Sequence, residues 1–590
     1  MLRRWLGERV SLSYLALFSG IVLLQAWTMA EAGDTFIGDA CRTCLLEDAV
    51  NFRSPSDDAP RSLCLTETVL KYSSVSGSAR SLLLLADVVG ATARSVPVKR
   101  GGSAAVGGGD AGEEVHRLDV YAYSPRHMRA GCTGAEMCHK NQRRAAHKSW
   151  IVSDGDTAQR WAKAINDILK TSPEQDGKGS AVAVGPGRRL LVLVNPVSGT
   201  GGSLSAWEKT LRPMLEQAMV AITPIVSTRA GELADLITNA GPDKGGDVAR
   251  SVEKEPKAVV ADTGVVRESR GDSRVGSLDD FDGIVVVGGD GTFFEVLQGM
   301  YARPDCAKQL SRLSLGVVPA GTGNGLAKTL SEESSEEFGA IGASFLAAKG
   351  SSRKMDLVPT DSGDKKYLAF LNVGWGMISD VDIESEAYRW LGSLRFTVGT
   401  VVRIANLKHC KGRIYFLPAG PAGPGNATAA SEVWDVATPF RMPPLTEPID
   451  SDHGDTDSDV GVTEGGFTRG GWTTIEGEFV LADIAQTKYI SHDMPMAPAS
   501  RLGDGLMDLF MVRKGASRIA MIKMFLAMGK AEHNLPRHPC NEWHRVRAFR
   551  IEPLTASGRL TIDGELVEYA PLQQHVWHKA ANIMCSPSSS

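Results

Sequence analysis

The segment 281–300, FDGIVVVGGDGTFFEVLQGM, constrains the fold more than any other stretch of the chain. Its apolar run from Ile284 to Val287 reads as a buried strand. The run ends in Gly288-Gly289-Asp290-Gly291-Thr292, and the apolar-periodic stretch that follows predicts a helix. Glycines at such a junction let the backbone turn without Cβ clashes and let a phosphate approach the amides. The helix start adds unsatisfied N–H groups and the positive end of a dipole. Asp290 is the exception, a carboxylate among groups that favour anions. It would repel phosphate unless a metal ion or a proton to be abstracted requires it, which makes Asp290 the first candidate for chemistry. Taken alone, the segment also reads as a plain strand–turn–helix with an aspartate cap.

The same unit recurs. Leu190 to Val194 ends in Asn195-Pro196-Val197-Ser198-Gly199-Thr200-Gly201-Gly202 before a helix carrying Trp207 and Leu211. Leu313 to Val318 ends in Pro319-Ala320-Gly321-Thr322-Gly323-Asn324-Gly325, and Ala221 to Val226 leads into Ser227-Thr228-Arg229-Ala230-Gly231. Asn195 can hydrogen-bond a nucleotide, and the Ser/Gly turn offers amides to phosphate. No Lys-Ser/Thr pair closes that turn, so it is not a P-loop. Parallel strands bring such turns to the carboxyl edge of one sheet, where open α/β folds bind ligands. A nucleotide cleft with Asp290 in its middle is the expectation.

At 590 residues the chain has room for roughly three or four domains. Its net charge of −5 supplies no basic field, so no nucleic-acid partner is expected. Nine scattered cysteines make no disulfide framework, and Cys41-x-x-Cys44 has no second pair, so a reduced compartment is expected. In residues 1–35, Arg3, Arg4 and Arg9 flank an uncharged run from Val10 to Ala30, the pattern of a signal peptide or signal anchor. A cytosolic extension or a mis-assigned start is the competing reading. Residues 171–187 read as a linker. The charged, Gly-rich 241–280 reads as an insertion loop with some disorder, and the stretch 419–470, with its acidic run DSDHGDTDSD, as a disordered insertion. Asn426-Ala427-Thr428 is a glycosylation triplet with meaning only in a lumenal region.

NPVSGTGG, GGDGTFFEV and PAGTGNGLA resemble the phosphate-binding signatures of the diacylglycerol-kinase-like superfamily, and NAD kinases share GGDGT. The segment 372–396, NVGWGMISDVDIESEAYRWLGSLRF, is similar to the sphingosine kinase signature, as is Tyr301-Ala302-Arg303-Pro304-Asp305. The resemblance covers about 188–418 and resumes near 472–580. Read from the residues alone, Asp380, Asp382, Glu384 and Glu386 alternate, so an extended backbone would aim them to one face. Acids beside Arg389 and Arg395 suggest one group for a cationic substrate and another for phosphates; a solvated turn is the alternative.

The resemblance implies an α/β nucleotide-binding domain at 188–335 and a β-rich, sandwich-like lipid-binding domain at 336–580. It implies ATP and Mg²⁺ as cosubstrate and cofactor, and a sphingoid base as lipid substrate. Asp290 would be the base, with Gly288, Gly289 and Gly291 beside the substrate and Asp382 on the amine that ceramide and diacylglycerol lack. Asn195, Pro196, Ser227, Thr228, Arg229, Ala230, Gly231, Thr292, Glu295, Gly321, Thr322, Gly323, Arg389, Arg395, Asp563, Gly564 and Glu565 fall on nucleotide positions. Val197 stands where some members of the family carry a basic residue, and Asp235 stands where a Glu is usual. Residues 60–170, with strands at Leu82 to Val89, His116 to Ala122 and Trp150 to Ser153 and a helix at Asp156 to Leu169, resemble a small PH-like domain. Their basic cluster Lys140, Arg143, Arg144 and Lys148 suits an acidic membrane surface or a solvated loop. Strands are also expected at Trp472 to Leu481, Leu506 to Val512 and Arg545 to Ile551, with an apolar Met-rich helix at Ile519 to Met528 that can adapt around an alkyl chain or, the commoner use, pack in the core. The expected setting is cytoplasmic with membrane association, and the reading leaves room for a homodimer. A ceramide or diacylglycerol kinase and an inactive lipid-binding protein of the same fold are the rival readings.

Overall fold

Short apolar runs separated by glycine turns become the parallel strands that position the site. In the computed structural model, residues 45–53, 60–66, 69–74, 80–97, 114–125, 143–152, 154–170, 185–199, 201–241, 275–363, 365–387, 394–419, 442–447, 449, 461–463, 466–469, 471–531 and 541–586 are described. The segment 1–35, the Cys41–Cys44 pair, Lys140, residues 242–274, Arg389, the glycosylation triplet and the acidic run 450–459 lie outside them. Among the described residues no helix is long and apolar enough to cross a membrane. The chain divides into two units, residues 1–122 with 147–168, and residues 123–146 with 169–590.

The first unit is built on β1 (Leu46–Arg53), β2 (Pro60–Leu65), β3 (Val69–Ser74), β4 (Arg80–Leu84), β5 (Val88–Pro97), β6 (Glu114–Pro125) and β7 (Arg143–Val152), followed by α1 (Gly155–Lys170). The strands form one sheet in the order β4-β3-β2-β1-β7-β6-β5. Helix α1 buries Trp161 and Ile165, and its Asn166 side chain bonds both backbone groups of Ala91 on β5, at 3.0 and 2.8 Å. The single strand expected at Leu82 to Val89 is two, separated by a 3₁₀ turn at Leu85–Asp87. Arg143, Arg144 and Lys148 lie on strand β7 and not in a loop.

The second unit begins with β8 (Arg189–Val194), a helix assembled from Ser203–Ala206, a π-helical turn Trp207–Leu211 and Arg212–Gln217, then β9 (Ala221–Val226) and α2 (Glu232–Asn239). It continues through β10 (Gly283–Gly288), α3 (Asp290–Tyr301), α4 (Cys306–Arg312), β11 (Ser314–Pro319), α5 (Gly325–Glu333) and α6 (Ala340–Lys349). Strands β9, β8, β10 and β11 run parallel in that order, so their carboxyl ends share one edge. Every residue of β10 is buried, as expected for a strand covered on both faces.

The β-rich part comprises β12 (Ser352–Ser362), β13 (Lys365–Ala369), β14 (Asn372–Gly376), α7 (Met377–Ser385), α8 (Leu394–Ala405), β15 (Cys410–Pro418), β16 (Gly461–Thr463), β17 (Gly466–Arg469) and β18 (Trp472–Ala485). It closes with β19 (Met507–Arg513), α9 (Arg518–Met528), β20 (Asn541–Pro553), β21 (Leu560–Ile562), β22 (Glu565–Val567), β23 (Leu572–His575) and β24 (Trp577–Met584). Strand β24 pairs parallel with β11 and antiparallel with β12, so the end of the chain joins the two parts through one sheet. A core running from Leu191 through Trp375 to Phe549 is continuous across both.

The segment 419–470 is not wholly the disordered insertion expected. Its end forms the hairpin β16–β17, which extends β18. The buried guanidinium of Arg550 donates to the carbonyls of Pro443, Pro444 and Glu447, so that part is held by the fold. Pro- and Gly-rich composition hides such a tether, because carbonyls attract an arginine whatever side chains they carry.

Candidate active site

Three glycine turns meet at the shared carboxyl edge. The Gly289 amide donates to Ser198 Oγ at 2.8 Å, and the Ala320 amide donates to the Gly288 carbonyl at 2.9 Å. Gly289 and Gly321 touch backbone to backbone. A Cβ on Gly321 would lie 2.5 Å from the Gly289 Cα, and one on Gly289 would lie 2.9 Å from the Gly321 Cα. These glycines therefore serve the packing of one turn on another, besides leaving amides accessible.

Asp290 starts α3 and is buried at this junction. Its Oδ2 accepts the Gly325 amide at 2.8 Å and its Oδ1 the Leu326 amide at 3.2 Å. The positive end of α5, which the sequence offered to phosphate, is thus occupied by the carboxylate of the neighbouring turn. Burial raises the Asp290 carboxyl to about 6, and the amide bonds oppose that rise. An acid poised there accepts a proton at neutral pH and is within range to release it.

Asp563 is the second acid of the site. It sits in the turn between β21 and β22 at φ 52°, and takes the amides of Phe370, Leu371 and Asn372 at 3.0, 2.8 and 3.0 Å. Burial lifts it to about 7, those amides hold it down, and the charge of Asp290 adds to the rise. Glu565 reaches Gly291 so closely that a Cβ there would stand 2.7 Å from Oε1. Gln298 of α3 brackets Leu368 of β13, donating to its carbonyl at 2.9 Å and accepting its amide at 3.0 Å. This bond ties the helix of Asp290 to the β-rich part.

The acidic segment is helical, not extended. Gly376, at φ 75°, turns the chain out of β14 and into α7. A helix sends residues two apart to opposite sides and residues four apart to the same side. The four acids therefore split into two pairs. Asp380 and Glu384 face Arg559, at 2.8 and 2.7 Å, and Arg403. Asp382 and Glu386 face Arg395, which pairs with Glu386 and stacks on Phe396. Alternation in sequence fitted both geometries, and the tertiary partners chose the helix. Burial raises Asp382 to about 7, with Arg395 pulling down and Glu386 pushing up. Arg395 thus belongs to the same group as Asp382, where a separate phosphate clamp was expected.

One cleft of about 900 Å³ joins these groups. It is lined by Asn195, Ala230, Gly231, Gly289, Asp290, Gly291, Thr292, Glu295, Gly321, Thr322, Gly323, Asp382, Arg395, Asp563, Gly564 and Glu565. Pro196, Ser227, Thr228, Arg229 and Gly288 are expected site residues that do not line it. Gly288 is buried beneath, where a Cβ would meet Thr292 Oγ1 at 2.6 Å. Arg229 is paired with Asp235 with its side chain 60% exposed, and the Thr228 and Arg229 amides are capped by Glu232. Glu295 accepts the Leu233 amide at 2.9 Å, so it caps α2 as well as lining the cleft.

Much of the remaining lining is apolar, Ile378, Val381, Phe396, Ile404, Phe525 and Leu526 among it, and of these only the α9 residues lie on a segment the sequence offers to an alkyl chain. Such residues carry no signal, because they look like core. The methionines of α9 are core: Met521, Met524 and Met528 are buried. The opposite side of α9 presents Ile519, Ile522 and Leu526, and α8 presents Val398, Val401 and Val402, all exposed. Polar residues were missed as well. Asn372 lines the cleft, and Asp483 lies beside it as the one charge in the apolar run from Phe479 to Ala485.

The chain can therefore hold a polyanion at the turns, a proton acceptor beside it, and an amphiphile with a cationic head next to that. Among the described residues no group of three acidic, His or Cys side chains makes a metal cage. Mg²⁺ held largely by phosphates needs only one or two carboxylates, and Asp563 and Glu565, which line the cleft, are the ones that would hold it.

Residues 189–360 match the family described as the diacylglycerol kinase catalytic domain, and residues 469–585 the YegS C-terminal NAD kinase beta sandwich-like domain. Sphingosine kinase 2 of Homo sapiens is 29% identical over 534 residues, covering 73% of this chain and 76% of that protein. Sphingosine kinase 1 of Homo sapiens is 31% identical over 396 residues, covering 66% of this chain and 88% of its own length. Sphingosine kinase 2 of Arabidopsis thaliana is 29% identical over 373 residues, covering 63% and 66%. With the glycine turns, the acid of the middle turn and the relatives in agreement over most of the enzyme's length, the chain belongs to the sphingosine kinase family.

Proposed function

We propose that this protein transfers the γ-phosphoryl group of ATP to the primary hydroxyl of a sphingoid base, converting sphingosine to sphingosine 1-phosphate. The observation that carries the reading is the single cleft lined by both Asp290, among the glycine turns, and Asp382, beside the apolar side of α8 and α9. A kinase for an amphiphilic amine needs both ends in one cavity.

The turns after β8, β10 and β11 hold the triphosphate, and the aliphatic faces of α8 and α9 take the alkyl chain. Asp382 pairs with the ammonium, which fixes the primary hydroxyl beside Asp290. Asp290 takes the hydroxyl proton as that oxygen bonds to the γ-phosphorus and the bond to the leaving ADP oxygen breaks. Arg395, beside Asp382, helps to balance charge at the head-group end. Asp563 and Glu565 would hold Mg²⁺ with the nucleotide, where it would supply positive charge to the phosphoryl oxygens.

The aliphatic side chains exposed on α8 and α9 favour a membrane surface as the source of the lipid, and dependence on ATP favours its cytoplasmic side. The sheet-plus-helix unit at the front of the chain is proposed as PH-like, on the strength of a β-sheet closed by one C-terminal helix.

Transfer of labelled phosphate from ATP to sphingosine, ceramide and diacylglycerol, compared side by side, tests the substrate class. Sphingosine should be preferred, and Asp382→Asn should reduce that preference by raising the KM for sphingosine. Equal turnover of ceramide, or an equal loss on all three lipids in Asp382→Asn, would remove the amine-pairing role.

A further inference from the structure

The head-group end of the cleft is backed by a carboxyl group that the reaction above does not use. Asp483, on β18, is fully buried. Its Oδ1 accepts the side-chain N–H of Asn372 at 2.6 Å, and its Oδ2 has no partner. An apolar residue in this otherwise apolar strand would complete the core without the cost of burying an acid.

Asn372, on the neighbouring strand β14, is pinned twice. Its backbone amide donates to Asp563 at 3.0 Å, and its side-chain nitrogen is turned to Asp483. The atom left for the cleft, which Asn372 lines, is its amide oxygen. The two ends of an amide have nearly the same shape, so only a hydrogen-bond partner decides which faces the ligand. A flipped Asn372 would present N–H donors to a head group made of an ammonium and hydroxyls, which are donors themselves.

We propose that Asp483 is a positioning residue that holds the Asn372 amide with its oxygen toward the polar head of the sphingoid base, giving that head a neutral acceptor beside Asp382. This inference rests on the sphingoid-base reading. The groups facing Asp483 are the Asn372 amide from β14 and the charge of Asp382 from α7. Burial, with the charge of Asp382 adding to it, raises the Asp483 carboxyl, and the bond from Asn372, which is made to the ionised, acceptor-only form, opposes that rise.

Steady-state kinetics on the full chain with sphingosine, at saturating ATP, tests the role. Asp483→Asn keeps the size of the side chain but pairs with Asn372 in either orientation. Its KM for sphingosine should rise about tenfold, the loss of one hydrogen bond, while kcat and the KM for ATP stay near wild type. In an Asn372→Ser background no amide remains to be oriented, and Asp483→Asn should add nothing further. Asp483→Leu should act in the same direction; if it fails to fold, the isosteric variant and the double variant still decide. An unchanged KM in Asp483→Asn, or the same rise in both backgrounds, overturns the proposal. Wild-type protein that does not phosphorylate sphingosine overturns the substrate reading and this proposal together, whereas an active wild type with unaltered variants overturns the positioning role alone.

Discussion

Asp290 combines three features that seldom coincide: burial, two amide donors and a carboxyl lifted to about 6. Asp290→Asn removes the proton acceptor and turns an amide nitrogen toward one of two backbone N–H groups. Turnover should fall by about 10²–10⁴-fold, with ATP binding retained within several-fold. Turnover that persists in an isothermal transfer assay would place the base elsewhere. The pH dependence follows from the sign of the shifts. A raised carboxyl pKa means that the ionised, active form appears only at higher pH. As pH falls, kcat should decline below about 6 with Asp290, and kcat/KM for the lipid below about 7 with Asp382. Asp382→Asn should remove the limb near 7 and leave the limb near 6. The same shifts act on stability in the opposite sense to activity. The folded state binds these protons more tightly than the unfolded chain, so their contribution is complete below the unfolded carboxyl pKa and is lost as pH rises through 6 to 8.

At the scale of elements, α7 and α9 each divide their side chains between two tasks. Helix α7 turns one pair of acids to Arg403 and Arg559, which anchor it, and the other pair to the cleft. Helix α9 buries Met524, 1% exposed, and leaves Leu526 67% exposed at the mouth of the cleft. The two faces predict different phenotypes. Met524→Ala should cost about 2–5 kcal/mol of stability in urea unfolding, because it opens a cavity in the core. Leu526→Gln should unfold near wild type but raise the KM for sphingosine severalfold, as an apolar contact with the chain is lost. If Leu526→Gln lowers stability instead and spares the KM, α9 does not contact the lipid.

At the scale of the molecule, the last strand closes the enzyme. Strand β24 pairs with β11, whose carboxyl end leads to the Gly325 and Leu326 amides bound to Asp290, and with β12, which opens the β-rich part. The loop after β18 reinforces this closure: the His492 amide donates to the Gly323 carbonyl at 2.8 Å, and Tyr489 and Ile490 pack so closely on Gly325 that a Cβ would meet the Tyr489 carbonyl at 2.6 Å. Removal of residues 577–590 should therefore abolish cooperative unfolding in calorimetry, not just activity. A truncated chain that still unfolds in one transition and binds ATP would show that the α/β part stands alone.

The strands of the α/β part and their turns were legible in the residues themselves, since buried parallel strands are short apolar runs and only glycine-rich turns allow backbones to meet as Gly289 and Gly321 do. Asp290 stood out for the same local reason, a lone charge where anions are favoured. The helical course of the acidic segment, the pairing of Arg395 with Glu386, and the link from Asp483 to Asn372 were decided by tertiary structure. Alternating acids satisfy either backbone until the partner arginines arrive from other elements. The cleft-lining side chains of α8 were hidden by the same physics, and those of α9 could be read as core or as an alkyl-chain surface, because an apolar residue that lines a cleft and one that fills a core differ only in what the rest of the chain brings opposite them.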